Sequence, residues 1–433
     1  MANLGRIELC TDRAKVFVGT GVELKVIYIV GPGGLSRNGM IRVITPGITP
    51  PPNYSNPGAP GFVTTKCSRD NAELEVTYAR DHRMDDVFGK ERLDRIATWP
   101  MRQTQVRARN VDLVEGDTIT VTVGEKRFGG PGISFGKYLN IEEYFVCCEV
   151  DVDGSQEFKE ICDPVPIKVE KKGPAMLRVY GPSIVVPGEK QRITVSAFDE
   201  NGVDLPDSYE GSVEFSATTK DDSVSGPYKF NAEDGGHKHF NDIVCAELGT
   251  RSVHRIEVVD NDNDFEAISA PMVEGLIDDK YKIYWGSIHP HTGISLDVRL
   301  NGNVMNTPDD TYIYSREVVG LDFAAVCDHG IGQPDEDDML PEEWELTKDC
   351  ARRHNHPGRF VTFSSFEFSS ERYGDHNFYF LNDDMPMEKI YDIDKLYEFY
   401  RGTDTIIIPH HVAVMRPIDW DHHDPEVEPL VEI

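Results

Sequence analysis

Two histidines one residue apart, His289 and His291, end a short apolar run that begins at Tyr284. Alternate residues of a β-strand share a face, so both imidazole rings can reach one metal ion. Three later apolar runs also end in residues of ligand type, namely Asp328 with His329, Glu367, and His410 with His411. The pattern predicts a metal site assembled from several strand ends.

A polar or helix-like segment precedes each of these later runs, and that order predicts β/α units. Thr307, Pro308 and the two acidic residues that follow are typical of a helix start before the second run. In parallel sheets and barrels, functional groups gather at the C-terminal ends of the strands. We therefore predict an α/β domain over residues 276–433 whose strands bring ligand side chains to one mouth.

The order of these motifs resembles the PHP (polymerase and histidinol phosphatase) superfamily. Residues 281–297, 317–329 and 408–411 look more closely like a bacterial PHP-like family catalogued as a domain of unknown function. The resemblance spans residues 277–433. It implies a PHP-type distorted β/α barrel, here incomplete, that holds two or three divalent metal ions (Zn, Mn or Fe).

Matched motif by motif, the resemblance implies a set of metal ligands: His289, His291, Asp297, His329, Glu367, His376 and His410. Glu367 matches the carboxylate that bridges two ions, and it is expected to be catalytic. Asp328 is the second expected catalytic residue, either orienting His329 or accepting a proton. His411 is an additional candidate.

Two positions depart from the family pattern. Ser287 stands where the family usually has an acidic residue, which would weaken an outer contact to the metal ligands. The last family motif, Asp-x-His, is missing because the sequence ends at Ile433 inside an apolar run. We expect the chain to be the N-terminal part of a longer protein; the alternative is a complete chain in which another element closes the sheet.

The function predicted from these residues is metal-dependent hydrolysis by activated water, with a phosphoester as the first choice of substrate. Two alternatives stay open. One is a metal-assisted lyase that acts on a polyanionic or sugar-like substrate. The other is a non-catalytic binding protein in which β-sandwiches act and the barrel is vestigial.

Residues before 276 have a different pattern, with short alternating runs separated by Gly, Pro and Asn clusters. They predict an N-terminal β-sandwich-like domain over 1–170, with one helix near 85–98, and an immunoglobulin-like β-sandwich over 171–275. Here His237 and His239 are expected in a surface turn rather than a metal site. Residues 260–264 are expected to form a solvated turn rather than a calcium loop.

Charge and cysteine usage limit the partners and the compartment. The 44 basic and 75 acidic residues give a net charge of −31, so nucleic acid is not an expected partner. No apolar run is long enough for a signal peptide or a membrane span, and we predict a cytoplasmic protein without membrane contact. Eight cysteines without a Cys-x-x-Cys pair are expected to be free thiols; a disulfide between distant cysteines is the alternative.

Overall fold

β-Strands dominate the computed structural model, which describes residues 4–45, 48–50, 52–77, 103–135, 143–200, 202, 209–275, 281–295, 297–298, 306–332, 338–382, 384–412 and 417–433. The chain divides into two units, Met1–Lys172 with Asp297–Val304, and Gly173–Leu296 with Met305–Ile433. The helix expected near 85–98 lies outside the described residues. Among the described residues, no helix is long and apolar enough to cross a membrane.

Strands joined by turns and loops make up most of what the structure describes of the first unit. They are β1 (Gly5–Thr11), β2 (Val16–Phe17), β3 (Leu24–Val30), β4 (Met40–Ile44), β5 (Ile48–Thr49), β6 (Val63–Cys67), β7 (Leu74–Thr77), β8 (Gln103–Ala108), β9 (Thr118–Val123), β10 (Ser134–Phe135), β11 (Glu143–Asp151), β12 (Lys159–Glu160) and β13 (Val165–Glu170). The larger sheets run β1-β3-β9-β6 and β2-β13-β11-β4-β8-β7. Strand β3 alternates buried and half-buried residues, as a strand with one face on a core must.

The second unit begins with a β-sandwich. Its strands are β14 (Met176–Tyr180), β15 (Ile184–Val185), β16 (Lys190–Phe198), β17 (Ser212–Ala217), β18 (Tyr228–Lys229), β19 (His237–Val244), β20 (Val253–His254), β21 (Ile256–Asp260), β22 (Phe265–Ile268) and β23 (Met272–Glu274). Sheets β14-β16-β19 and β18-β17-β21-β22 both contribute to one buried core, for example Val195 from the first and Val213 from the second. The strands predicted from alternation in this region are therefore present.

Two local expectations in the sandwich have different outcomes. Residues 261–264, two asparagines and two aspartates, form the turn between β21 and β22, as predicted. The expected surface turn at His237 and His239 is wrong, because both residues lie in β19 and pair with β16. Gly235 and Gly236, which precede these histidines, are typical of a turn. The turn is formed by the two glycines alone, at positive φ angles, and the strand begins directly after them.

The rest of the second unit mixes helices with one sheet. Its elements are β24 (Gly286–Ser287), α1 (Pro308–Ile313), β25 (Phe323–Val326), β26 (His329–Ile331), α2 (Pro341–His354), β27 (Val361–Ser370), β28 (Gly374–Phe380), α3 (Ile393–Tyr400) and β29 (Thr405–His410). The sheet order is β24-β25-β27-β28-β29, with β26 beside β27. We call this part the α/β region.

Strand directions in the α/β region follow the predicted order only in part. Strands β24, β25 and β27 are parallel, with α1 and α2 between successive members. Strand β28 then returns antiparallel to β27 without a helix between them, and β29 is antiparallel to β28. Gly374, at φ +87°, ends the tight connection from β27. Since two reversals restore the original direction, β29 again runs parallel to β27.

The sandwich contacts the α/β region through the π-helical turn Tyr314–Val318 that follows α1. The Ser196 hydroxyl donates to the Val318 carbonyl over 2.6 Å in a buried position. His239 bonds the Glu317 carboxylate, which also pairs with Arg316. Burial raises the pKa of Glu317, but the bonds and charges of His239 and Arg316 outweigh it and bring that pKa to about 2. We call this set of contacts the sandwich clasp.

Candidate metal centre

His289 and His291 follow the short strand β24, at the C-terminal end of the parallel strands. Gly286 in β24 lies against the ring of Phe323, where an added Cβ would come within 2.4 Å of ring carbons. This close approach brings the start of the histidine segment down onto β25. The two imidazole rings are 5.0 Å apart, both half-buried.

Glu367 is the centre of a first ligand group, which we call the Glu367 group. Its Oε2 atom lies 3.3 Å from Nε2 of His289, 3.1 Å from Nε2 of His291 and 3.7 Å from Nδ1 of His329. Nitrogen and oxygen ligands of a tetrahedral ion, at bond lengths of about 2.0–2.2 Å, stand about 3.3–3.6 Å apart. The spacing of these side chains suits a divalent cation.

The carboxyl group of Glu367 is buried in β27, with only 2% of the side chain exposed. Burial raises its pKa, but the bonds from His289 and His291 and the charge of His329 prevail and hold that pKa well below its usual range. The site therefore keeps this carboxylate ionised, which is the form that binds a cation.

A second ligand group, the Glu432 group, lies on the other side of His289. Oε2 of Glu432 is 3.1 Å from Nδ1 of His289 and 3.1 Å from Nδ1 of His410. The Asn377 amide donates to the same carboxylate over 3.2 Å. Burial and the charge of His289 lower the pKa of His410, which favours the neutral ring that a metal requires. Each ring nitrogen of His289 thus lies beside a carboxylate, Nε2 beside Glu367 and Nδ1 beside Glu432.

Asp328 has a positioning role in the structure. It is fully buried, and it accepts a 2.5 Å bond from the Thr292 backbone N–H and a 2.7 Å bond from the Thr292 hydroxyl. Burial raises the pKa of this carboxyl. These bonds fix the turn that follows His291. The two roles expected for Asp328, orienting His329 or accepting a proton, stay predictions.

Two serines help to orient His329. Its Nδ1 atom lies 2.7 Å from the Ser369 hydroxyl, and its backbone N–H donates to the Ser295 hydroxyl over 2.8 Å. The rings of His329 and His291 are 5.0 Å apart. His329 therefore joins the first ligand group from the start of β26.

One predicted ligand lies elsewhere. His376 is buried on β28 and bonds through Nδ1 to Glu428 at 2.7 Å, with Tyr397 donating to the same carboxylate. Asp297 is exposed, and a ligand atom of its carboxylate lies within 4.8 Å of ring nitrogens of His291 and His329. The predicted ligands that the structure brings together are His289, His291, Asp297, His329, Glu367 and His410.

Sequence reasoning missed Glu432 and Asn377. Glu432 directly follows the apolar pair Leu430-Val431, and its backbone N–H donates to the carbonyl of Pro409 in β29. An apolar run followed by a carboxylate is the same signal that identified Glu367. His411, the additional candidate, adopts a left-handed φ of +54°, and its ring lies 3.7 Å from that of His410. A strained non-glycine residue beside ligand residues is common at functional sites.

Comparison with known proteins leaves the chain without an assigned family. No family model and no curated protein matches it. An apo β-glucuronidase 3 of Bacteroides uniformis is 11% identical at a TM-score of 0.18; the likeness covers 34% of this chain and only 18% of that chain. A marsupial T cell receptor is 8% identical over 66% of this chain and 76% of that chain, at a TM-score of 0.20. An Escherichia coli alpha-2-macroglobulin is 10% identical over 63% of this chain and 23% of that chain, at a TM-score of 0.17. Scores this low assign neither a fold nor a function to this chain.

Proposed function

We propose that this protein is a metal-dependent hydrolase, acting on a phosphoester, whose centre is formed by the Glu367 and Glu432 groups. The observation that supports this most is the convergence of three imidazole nitrogens on Oε2 of Glu367 within 3.7 Å. Such a set of nitrogen and carboxylate donors suits zinc, manganese or iron. Bound ions of this class lower the pKa of a coordinated water and stabilise charge that develops on the substrate.

Each residue of the centre would have a distinct task. His289, His291 and His329 would hold a cation together with Glu367, whose low pKa keeps its carboxylate ionised. His410 and Glu432 would hold a second cation or, with Asn377, orient His289 by its Nδ1 atom. These two ligand groups share His289, so they are close enough for a dinuclear centre.

Access to solvent supports catalysis over a purely structural metal. The side chains of His289, His291 and His410 are 15–16% exposed, and the Glu432 side chain is 39% exposed. A catalytic metal site needs an open position for water and substrate, whereas structural sites are closed. The motif resemblance and the convergence of ligand residues at the strand ends support our proposal of a PHP-type β/α barrel for residues 276–433. The free cysteines support our proposal of a cytoplasmic location.

The direct test measures bound metal by plasma mass spectrometry and turnover of p-nitrophenyl phosphate on the same preparations. We expect the unaltered chain to bind metal and to release p-nitrophenol. His289→Ala combined with His291→Ala should lose metal from this centre and lose turnover.

His237→Ala is the matched control, because His237 is a half-buried histidine whose ring contacts the Gly235 carbonyl outside the centre. It should retain metal and turnover. A folded wild-type chain that binds metal but hydrolyses no phosphoester would contradict the substrate class, and ultraviolet-absorbing elimination products from a polyanionic sugar would favour the lyase. A chain whose metal content does not change in the double variant would overturn the centre itself.

A further inference from the structure

A second set of ligand side chains is closed inside the β-sandwich. Asp222, Cys245 and His254 place one carboxylate oxygen, the sulfur and one ring nitrogen within 4.8 Å of one another. The side chains of Asp222 and His254 have no solvent exposure, and Cys245 is fully buried. We call these residues, with Glu274, the sandwich cluster.

The imidazole of His254 lies between two carboxylates. Its Nδ1 atom is 2.9 Å from an oxygen of Asp222, and its Nε2 atom is 3.8 Å from Oε2 of Glu274. Nε2 has no hydrogen-bond partner, although it is buried. A buried ring nitrogen without a partner costs free energy unless another group binds it or its proton. The unpaired, buried Nε2 atom therefore indicates that a ligand binds here.

Backbone groups hold both carboxylates in place. Asp222 accepts from the Ala246 N–H over 2.8 Å, and Glu274 accepts from the Leu248 and Gly249 N–H groups over 2.8 and 3.0 Å. Cys245 follows strand β19, and His254 ends β20, which pairs with β23 just before Glu274. Four ligand residues thus come from four fixed chain segments.

Charge provides an independent argument for a cation. Two carboxylates and a thiol surround one imidazole at a site without solvent, and even a protonated ring would offset only one of the two negative charges. Buried carboxylates are stabilised when they are paired with positive charge or coordinate a metal.

We propose that the sandwich cluster binds one structural zinc ion through Cys245, His254 and carboxylate oxygen. Sulfur, nitrogen and oxygen are the ligand atoms that zinc binds in proteins, and a closed site is what a structural zinc occupies. Whichever ring nitrogen binds the ion, the other has a carboxylate beside it, Asp222 at Nδ1 or Glu274 at Nε2. That is the carboxylate–histidine–metal arrangement that orients a metal-binding ring.

The test separates this ion from the metal of the Glu367 group by working in the full-length His289→Ala, His291→Ala double variant. We expect about one zinc per chain to remain in that variant after dialysis against a chelator. Replacement of the remaining zinc with cobalt should give thiolate-to-cobalt charge-transfer absorption in the near ultraviolet. Cys245→Ser added to the double variant should abolish that absorption and the retained metal.

Cys350→Ser is the matched control, since Cys350 is also fully buried but lies in α2 away from the cluster. It should retain the ion and the absorption. The cobalt spectrum of the double variant alone decides the proposal if Cys245→Ser does not fold. A folded double variant that holds no zinc, or a cobalt complex without thiolate absorption, would overturn it. Either result leaves the hydrolase proposal intact, because the Glu367 group is tested by the wild-type chain.

Discussion

The Glu367 group and the sandwich cluster use similar side chains in opposite surroundings. The first is rich in histidine, reaches solvent and lies where parallel strands end. The second contains a thiol, has no exposed ligand atom in Asp222 or His254, and is fixed by backbone N–H groups. Access to solvent, rather than ligand identity, therefore distinguishes a centre suited to chemistry from a site suited to stability.

The largest effect should come from Glu367→Gln. An amide cannot replace the ionised carboxylate that faces three imidazoles, so we expect turnover of p-nitrophenyl phosphate to fall by more than about 100-fold, beyond the range typical of outer contacts. Metal content should fall in parallel. Glu371→Gln, at an exposed position just after β27, is the control and should retain both. Full turnover in Glu367→Gln would place the chemistry elsewhere.

Glu432→Gln should have the next largest effect. If Glu432 and Asn377 orient His289, loss of the carboxylate should reduce turnover by about 10- to 100-fold. Metal should still bind to the Glu367 group. Steady-state kinetics with metal analysis would check this, and a loss equal to that of Glu367→Gln would show that Glu432 is itself an essential ligand.

Asp328→Asn tests how much the buried bonds between Asp328 and Thr292 stabilise the protein. The variant keeps one acceptor for Thr292 but presents a buried amide N–H₂ to the other donor, so unfolding free energy should fall by about 1–3 kcal/mol. Urea unfolding measures the change. Thr292→Val is the companion variant. It removes the hydroxyl that donates to Asp328 and accepts from the Ile294 N–H, but it keeps the backbone bond to the ionised carboxylate, so it should lose less. A stable Asp328→Asn protein with abolished turnover would indicate direct chemistry by Asp328.

The smallest effect concerns the sandwich clasp, which lies outside both ligand sets. Because the folded pKa of Glu317 is about 2 against an ordinary 4.5, its stabilisation is complete above pH 4.5 and disappears as the pH falls towards 2. We expect Glu317→Gln to cost about 1 kcal/mol near neutral pH, after allowance for solvent screening. The difference from wild type should shrink between about pH 5 and 3 in urea titrations, and a constant difference would refute the linkage.

The sequence predicted local features better than it predicted their assembly. The start of α1 at Thr307 and Pro308, the sandwich strands and the free thiols are all present, because capping chemistry and alternation act over a few residues. The β27–β28 hairpin was not anticipated, since nothing local distinguishes an antiparallel return from the next β/α unit. His376 shows the same limit. Local sequence predicts that it lies on a strand, but its bond to Glu428 depends on a residue 52 positions away.

The sandwich clasp has a consequence for how such a protein could be divided or inherited. The composition changes near residue 275, which suggests a convenient boundary between two portable modules. Yet Ser196 and His239, before that boundary, hold Val318 and Glu317 in the turn that leads into β25 and onward to His329. If recombination replaced this sandwich with one from another protein, the turn would lose these two partners. We therefore expect the sandwich and the α/β region to be inherited together.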